Sequence, residues 1–398
     1  MTNTSADNMA LKIERLDLIH QAIRMDSAPK RVPHKSNYWA WILARYSTKP
    51  LSQTLRDYDE IEKCVRHFQE DHNFDLLDSV GLRNPMKVND PLGFNLHKVN
   101  DENSSVYVQG ELLMKDDEYP QFIEDMYKFI WEVLMPRRFS VMKTDRAPEV
   151  MKESAKEYVR FYEVKSHFEE FLASDYGLPV PIFNNAFPAL LAGIDYFFTV
   201  FRGIGELSKD LRRHGAELEE ACRIIDEAFV YPYLTDEAMG ESGPNPEYPF
   251  DFTFTFLANT ILNPSQFDRF YGTTFRHLME RVTAKDKILY IFAEGRIERY
   301  YNYILDYPQG NVALQLEQDD IYEARKQLPK TCLCGGMETT LLEGGTPAQC
   351  VDSAKRLIEE VGRDGGFILS QNKMISTPSD TNPENLLAVC KYMNEYWR

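Results

Sequence analysis

Acidic residues stand directly after two apolar runs of the sequence. Glu294 follows KILYIFA and precedes a glycine, while Glu317 and Asp320 follow NVALQL. A carboxylate placed at the end of a buried run can act as a general base or bind a cation. The alternative for Glu294 is an ion pair with a neighbouring arginine such as Arg296. The alternative for Asp320 is a place in the first turn of the helix that follows, where acids are favoured.

Side-chain amides stand at comparable positions. Asn184 follows PVPIF, Asn259 follows FTFTFLA, and Asn372 follows GGFILSQ. Together with the acids, these amides predict a polar rim that suits a cation or a polar ligand. Arg202 and Arg296 are the candidate contacts for an anionic group, because a guanidinium matches the geometry of carboxylate and phosphate.

Alternating strand and helix signals place these residues. Short apolar runs alternate with longer amphipathic stretches from about residue 178 to the end of the chain. This rhythm predicts parallel strands covered by helices. Since no glycine-rich dinucleotide fingerprint accompanies it, a closed (β/α)8 TIM barrel is favoured over a doubly wound sheet. We expect one barrel domain over residues 31–398, preceded by an N-terminal helical arm over residues 1–30.

The first part of the chain is less regular. Apolar spacing predicts a helix over residues 9–27, and RVPHKSNYWAWIL and FDLLDSVGL are expected to enter the first two strands. Between them we expect a helix capped by Ser52. Turn residues interrupt β-prone runs over residues 86–115, which predicts a hairpin-like insertion. Residues 118–177 are expected to be mainly helical.

Three of the six cysteines lie in KTCLCGGMETTLLEGGTPAQC. Cys332 and Cys334 are two residues apart, so on a strand both side chains face the same way. They can pack in the core or supply two thiolates to a metal, but zinc needs three or four protein ligands. Thr346 and Gln349 form the pattern of a capping box, and Cys350 lies on the apolar stripe of the helix they begin.

Composition narrows the functional class. The chain has 398 residues, is 43% hydrophobic, and carries a formal net charge of −17, which disfavours partners rich in phosphate such as nucleic acid or an anionic membrane. No apolar run approaches the length of a membrane span. The N-terminus lacks the apolar centre of a secretory signal, and the cysteines are too scattered for a disulfide framework. We therefore expect a cytoplasmic protein.

The C-terminal third resembles the uroporphyrinogen decarboxylase superfamily. The resemblance rests on ILYIFAEGRIERYYNYILDYPQGNVALQLEQDDIYEARKQL, on Gly345-Thr346-Pro347 before a helix, on GGFIL, and on the segment that begins Pro383-Glu384-Asn385. It covers residues 31–398 and is strong after about residue 250. The resemblance implies a TIM barrel, in agreement with the strand and helix rhythm.

The decarboxylases of this superfamily use no cofactor and hold a polycarboxylate tetrapyrrole with arginines and an aspartate. Of their N-terminal arginine motif this sequence keeps only Ala44-Arg45-Tyr46. Leu82 or Arg83 stands near the position of the aspartate, and Asn372 near that of a histidine. These replacements disfavour a uroporphyrinogen decarboxylase, a lyase of porphyrin biosynthesis, but leave it as an alternative.

The other branch of the superfamily contains zinc-dependent methyltransferases that work with corrinoid proteins. They carry His-x-Cys where this sequence has Phe292-Ala293-Glu294, and a further cysteine near Asn372. Of these positions only Glu294 retains the capacity to bind a metal. Two alternatives for the cofactor therefore stay open: zinc, or no cofactor. The resemblance implies a methyltransferase-like enzyme acting with a corrinoid protein or a tetrapyrrole-like ligand. Glu294 would be a metal ligand or general base, oriented by Glu317 or Asp320.

A third alternative is a non-catalytic barrel that binds a corrinoid or a partner protein, because both sets of family residues are incomplete. A homodimer is also possible from the resemblance.

Overall fold

The computed structural model of the protein describes residues 5–27, 29–94, 96–108, 112–184 and 187–396. Its centre is a parallel six-stranded sheet, and a separate antiparallel hairpin lies in the first half of the chain. The hairpin consists of β1 (His97–Asn100) and β2 (Ser105–Val108). The sheet follows chain order through β3 (Ala189–Leu191), β4 (Phe252–Phe256), β5 (Leu289–Ala293), β6 (Val312–Leu316), β7 (Cys332–Met337) and β8 (Phe367–Gln371).

Two shorter segments close the sheet into a ring. His34 pairs in parallel with Leu369 of β8, and the next residue pairs with Leu76. The amide of Ile182 donates to the carbonyl oxygen of Leu77 at 3.1 Å, just before the chain enters β3. The first segment (residues 33–36), the second segment (residues 75–78) and the six strands of the sheet make eight positions. The predicted (β/α)8 barrel is confirmed.

The α-helices cover the outside of the ring and fill the connections between its strands. They are α1 (Ser5–Arg24), α2 (Ala40–Tyr46), α3 (Leu51–Thr54), α4 (Tyr58–His72), α5 (Met86–Asn89), α6 (Tyr119–Glu124), α7 (Met126–Phe129), α8 (Met135–Arg138), α9 (Ala147–Tyr176), α10 (Gly193–Tyr196), α11 (Gly203–Arg213), α12 (Gly215–Phe229), α13 (Asp236–Met239), α14 (Pro264–Phe267), α15 (Thr273–Ala284), α16 (Asn302–Leu305), α17 (Ile321–Gln327), α18 (Thr339–Gly344), α19 (Pro347–Glu360) and α20 (Pro383–Glu395). In the part of the chain that the structure describes, none of them is both long and apolar enough to cross a membrane.

The helix predicted over residues 9–27 is present as α1, which lies against the N-terminal ends of the strands. Ile19 and Ile23 are fully buried in the same cluster as the barrel interior. The amide of Gly366 donates to the carbonyl oxygen of Ala22 at 3.0 Å. These contacts show α1 closing the lower end of the barrel. The division of the chain into an arm (1–30) and a barrel (31–398) stays a proposal.

The strands β4 to β8 are buried on both faces, as their continuous apolar runs predict. Cys332 and Cys334 pack inside the barrel beside Tyr290, and burial raises the pKa of the Cys332 thiol. Cys350 is buried on the inner face of α19, whose N-terminus carries the predicted capping box. The packing interpretation of these cysteines is confirmed.

The predicted hairpin insertion is present as β1 and β2, but the predicted helix cap at Ser52 is wrong. Ser52 lies within the short helix α3, and its hydroxyl donates to Asp101 beside the hairpin at 2.6 Å. The longer helix α4 begins at Tyr58, and the Asp57 carboxylate caps it by accepting from the amide of Glu60. Asp57 prevails because it is the last residue before the helix whose side chain can reach the first-turn amides.

Candidate active site

The strands β4 to β8 end on the same side of the barrel, which we call the mouth. Glu294 is the first residue after β5 at this mouth. Its amide donates to the carbonyl oxygen of Phe256 at 3.0 Å, and its own carbonyl oxygen accepts from the side-chain amide of Asn259 at 2.9 Å. The backbone of Glu294 is thus held against the end of β4. Its carboxylate is half-buried and has no hydrogen-bond or ion-pair partner among the described residues.

Glu317, at the end of β6, holds the residue next to Glu294. Its carboxylate accepts a hydrogen bond of 2.5 Å from the amide of Gly295, which has the positive φ of +67° that favours glycine. Burial raises the pKa of Glu294, the charge of Glu317 raises it further, and Arg83 acts in the opposite direction. A carboxyl in this environment keeps its proton at a higher pH than an exposed glutamate does.

Arg83 lies across the mouth from Glu294. The guanidinium stands 5.6 Å from the ring of Trp39 and 5.6 Å from the ring of Phe183. Enclosure by the protein lowers its pKa, while the carboxylates of Asp78 and Glu294 raise it. Its side chain keeps an exposed face, and none of the described carboxylates is at ion-pair distance from it. Arg83 is therefore a cation available to a ligand.

The floor below Arg83 is a buried ion pair. Lys35, from the first segment, contacts Asp78, from the end of the second segment, at 3.0 Å, and neither side chain is exposed. The second oxygen of Asp78 has no hydrogen-bond partner among the described residues. Lys35 also lies 5.5 Å from the ring of Tyr290. This pair, together with the buried Gln315 and Ser370, gives the barrel a polar floor.

The hairpin insertion brings a histidine to the mouth. His97, at the start of β1, is half-buried, and its ring lies 5.7 Å from that of Phe94. Burial lowers the pKa of His97, and the charges of Arg83 and Arg138 lower it further. Its Nδ1 atom is buried without a hydrogen-bond partner in the described part of the chain. His97 is thus a neutral imidazole at pH 7, on a segment far from the barrel strands in sequence.

Several of the residues predicted from the sequence line one cavity on the rim of the mouth. It has a volume of about 900 Å³ and lies over the ends of β6 and β7. The predicted residues that line it are Glu317, Asp320, Arg296 and Asn372. Asn259 lies below this rim, fully buried against Glu294. Half of the predicted site residues therefore share a surface, and Glu294 stands beside it.

Besides Glu317, two further rim residues accept hydrogen bonds from backbone amides. Asp320 caps α17 by accepting from the amides of Tyr322 and Glu323. Asn372 accepts from the amides of Thr339 and Lys373 and so shapes the turn after β8. These bonds stabilise the rim.

Two predicted residues lie away from Glu294. The Asn184 amide donates to the backbone of Lys165 and to Glu169, both in α9. Arg202 is buried, and its guanidinium donates to Asp210 at 2.5 and 2.8 Å and to the carbonyl oxygen of Met114. The polar groups of both side chains are used in contacts within the fold. These contacts do not support the predicted role of either residue in ligand binding, which stays a prediction.

The residues present do not fit a zinc site. In the described ranges, no three histidine, cysteine, aspartate or glutamate side chains converge where they could hold a metal ion. All six cysteines are buried. Glu294 has one acidic neighbour, Glu317, and an oxygen of that neighbour already accepts from Gly295. A structural or catalytic zinc needs three or four such ligands.

Three charged or titratable residues at the mouth, Arg83, Lys35 and His97, are not among the site residues predicted from the sequence. The place of Arg83 shortly after FDLLD is a signal that could have indicated it. His97 gave no signal, because nothing in the sequence tells that the hairpin folds over the mouth.

Comparison with known proteins shows which family model and which solved structure the chain is similar to. Residues 200–396 match the family model described as uroporphyrinogen decarboxylase (URO-D). The structure is similar to that of a methyltransferase from Methanosarcina mazei, with a TM-score of 0.60 and 14% sequence identity, over 97% of this chain and 99% of that chain. At this identity the similarity shows the shared fold. None of the curated proteins matches the chain.

Proposed function

The chain belongs to the uroporphyrinogen decarboxylase superfamily, and from this premise we propose that it is a methyltransferase-like enzyme that works with a corrinoid protein or a tetrapyrrole-like ligand. One observation carries the proposal. A carboxyl with a raised pKa, Glu294, faces a guanidinium without a carboxylate partner, Arg83, across the barrel mouth. Perturbed groups of opposite charge that do not neutralise each other are typical of active sites.

Glu294 would supply a proton to the leaving atom. A methyl group on nitrogen or oxygen leaves readily only when that atom is protonated or bound to a Lewis acid. Since the donor set does not fit zinc, the raised pKa makes Glu294 the available acid. The carbon–nitrogen or carbon–oxygen bond breaks, the proton of Glu294 moves to the nitrogen or oxygen, and the methyl group joins the acceptor.

Arg83 would bind an anionic group of the same ligand. Its guanidinium is framed by the rings of Trp39 and Phe183 and has no carboxylate at ion-pair distance among the described residues, so it can donate to an anion. Glu317 acts as a positioning residue, because its bond to Gly295 fixes the turn that carries Glu294. His97 adds a neutral imidazole above them.

A bound corrinoid would supply the methyl acceptor or donor. The rim cavity of about 900 Å³ supports this part of the proposal, because Arg296 and Glu317, which lie near the turn that carries Glu294, line an open space for part of a large ligand or of a partner protein's cofactor. Arg296 and Asn372 line this space and would contact the ligand's polar groups.

A decarboxylase is the second candidate, and Arg83 is the observation that favours it. An arginine can hold a substrate carboxylate while a neighbouring carbon–carbon bond breaks. Carbon dioxide leaves, the electron pair stays on the carbon, and Glu294 protonates that carbon. A polycarboxylate tetrapyrrole would need several matched cations, because each buried carboxylate costs desolvation energy.

The test measures both reactions on one preparation. Methyl transfer from methylated amines or methyl ethers to a reduced corrinoid is followed by absorbance, and loss of carbon dioxide from uroporphyrinogen is followed by product analysis. We expect Glu294→Gln to lower turnover by about 10²- to 10⁴-fold, the usual contribution of a general acid. The control is Glu343→Gln, an exposed glutamate on α18, which should leave turnover unchanged. Full activity of Glu294→Gln would contradict the proposal, and turnover of neither substrate would favour the non-catalytic barrel.

The pH dependence gives a second readout. As an acid, Glu294 works only while protonated, so turnover should fall as pH rises through its raised pKa. The charge of Arg83 lowers that pKa. Arg83→Met should therefore weaken ligand binding and also move the fall in turnover to higher pH. A fall that stays at the same pH would show that Glu294 is not the titrating group.

A further inference from the structure

A second, smaller cavity lies further along the rim, between α11 and the loops after β4 and β5. It has a volume of about 370 Å³. Its polar lining consists of Ser208, Arg212, Thr260, Asn263, Gln266 and Arg299. Among the residues that the structure describes, no acidic side chain lines it. In a chain with a formal net charge of −17, a cavity that contains two arginines and no acid is a marked local excess of positive charge.

Neither arginine is neutralised by the protein. Within the described ranges, Arg212 and Arg299 have no carboxylate at ion-pair distance, whereas the nearby Arg269 contacts Glu219 at 2.6 Å. Arg299 is nevertheless held in place, because it donates to the carbonyl oxygen of Asn259 at 2.9 Å and lies 4.9 Å from the ring of Tyr300. A fixed guanidinium with unused donors is well suited to bind an anion.

The two amides of the cavity are oriented as donors. Asn263 caps α14, and its side-chain oxygen accepts from the amide of Gln266 at 2.9 Å. The side-chain oxygen of Gln266 in turn accepts from the amide of Asn263 at 3.0 Å. This capping box occupies both oxygens, and the two NH₂ groups have no acceptor among the described residues.

We propose that this cavity is an oxyanion site that binds a phosphate or carboxylate group. Two guanidinium groups supply charge and bidentate donors, and two amide NH₂ groups supply further hydrogen bonds without opposing charge. A third cavity, of about 470 Å³, adjoins this one. It shares Thr260 and Arg299 with it and reaches Gly295, the residue after Glu294. An anion held here therefore anchors the far end of a ligand that extends towards the mouth. The site does not depend on which reaction the mouth performs.

The test is direct binding by calorimetry, with inorganic phosphate and succinate as separate probes. We expect saturable binding of at least one probe, with loss of affinity at high salt. Arg212→Ala should weaken binding by about tenfold or more, since a hydrogen bond to a charged group contributes on that order. The matched control is Arg213→Ala, because Arg213 is the adjacent exposed arginine of α11 and does not line the cavity.

A second variant tests the amide donors without disturbing the helix cap. Gln266→Glu keeps the oxygen that accepts from Asn263, so the melting temperature should stay close to that of the parent protein. It replaces the NH₂ donor with a carboxylate, so anion binding should be lost. Binding of phosphate alone or of succinate alone would identify which source of the oxyanion the site takes. Saturable binding of neither probe, or equal weakening by Arg212→Ala and Arg213→Ala, would overturn the proposal. Because no turnover is measured, these outcomes are independent of the proposed function.

Discussion

Arg202 and Arg83 are two arginines that lie near carboxylates, and they differ in what their guanidinium groups contact. Arg202 is 4% exposed and donates to both oxygens of Asp210, which also accepts from the hydroxyl of Tyr119 at 2.8 Å. Arg83 faces Asp78 and Glu294 without touching either.

The difference separates a structural group from one available to a ligand. A buried cation in contact with an acid has its donors occupied, and the protein depends on the pair for stability. A cation held near acids, but not against them, keeps its donors for another molecule and still changes the pKa values of its neighbours. The sequence alone placed Arg202, not Arg83, among the candidate ligand contacts, and the contacts favour the reverse assignment.

The largest expected effect is on stability. Arg202→Met leaves Asp210 charged and without its cation in a buried site, so it should lower the free energy of unfolding by about 3–5 kcal/mol. Arg83→Met removes no ion pair and should change it by less than about 1 kcal/mol. Urea unfolding followed by circular dichroism measures both.

The double variant Arg202→Met/Asp210→Leu sharpens this prediction. Replacing both members of a buried pair by apolar residues leaves no unpaired charge, so most of the lost stability should return. Equal destabilisation by Arg202→Met and Arg83→Met would remove the distinction between the two arginines.

Two buried acids that have no ion-pair cation among the described residues should make the free energy of unfolding depend on pH. This change should be smaller than the one caused by Arg202→Met. Burial raises the pKa of Asp195 to about 7 and that of Asp226 to about 7. Between pH 4 and 7 the unfolded chain loses these protons while the folded protein keeps them. Stability should therefore fall as pH rises through this window and level off above it.

The measurement is the melting temperature as a function of pH. Each kcal/mol lost should lower it by roughly 1 °C in a chain of this length. In the Asp195→Asn/Asp226→Asn variant the dependence between pH 4 and 7 should flatten, because neither side chain can ionise. An unchanged slope in that variant would assign the pH dependence to other groups.

The smallest expected change in stability concerns Asp320, whose carboxylate accepts hydrogen bonds from backbone amides. Asp320→Ala removes the cap of α17 and should cost about 1 kcal/mol of stability with little change in turnover. Thr346→Ala at the start of α19 is the matched control, since it removes a cap of the same kind. If Asp320→Ala lowered turnover as strongly as Glu294→Gln, this would contradict the distinction between an acid that caps a helix and an acid that is available to a ligand.

The elements that could be predicted are those set by local pattern. The buried runs of β4 to β8, the hairpin and the capping box at Thr346 all depend on residues close in sequence. The wrong prediction of Ser52 as the helix cap also comes from reasoning on local pattern. Ser52 and Asp57 are both residue types that cap helices, and the path of the backbone selects Asp57. Glu294, Glu317 and Asn372 could be placed at the mouth because parallel barrel strands all end on one side.

The amino-acid sequence predicted the barrel, the family resemblance and the strand ends that carry polar side chains. It did so because apolar periodicity and strand order dictate which residues share an end of the barrel. The partners of those polar side chains follow from the folded structure: Arg202 contacts Asp210, Arg83 has no acid at ion-pair distance among the described residues, and His97 lies at the mouth. These outcomes depend on contacts between residues far apart in the chain, and no local pattern records them.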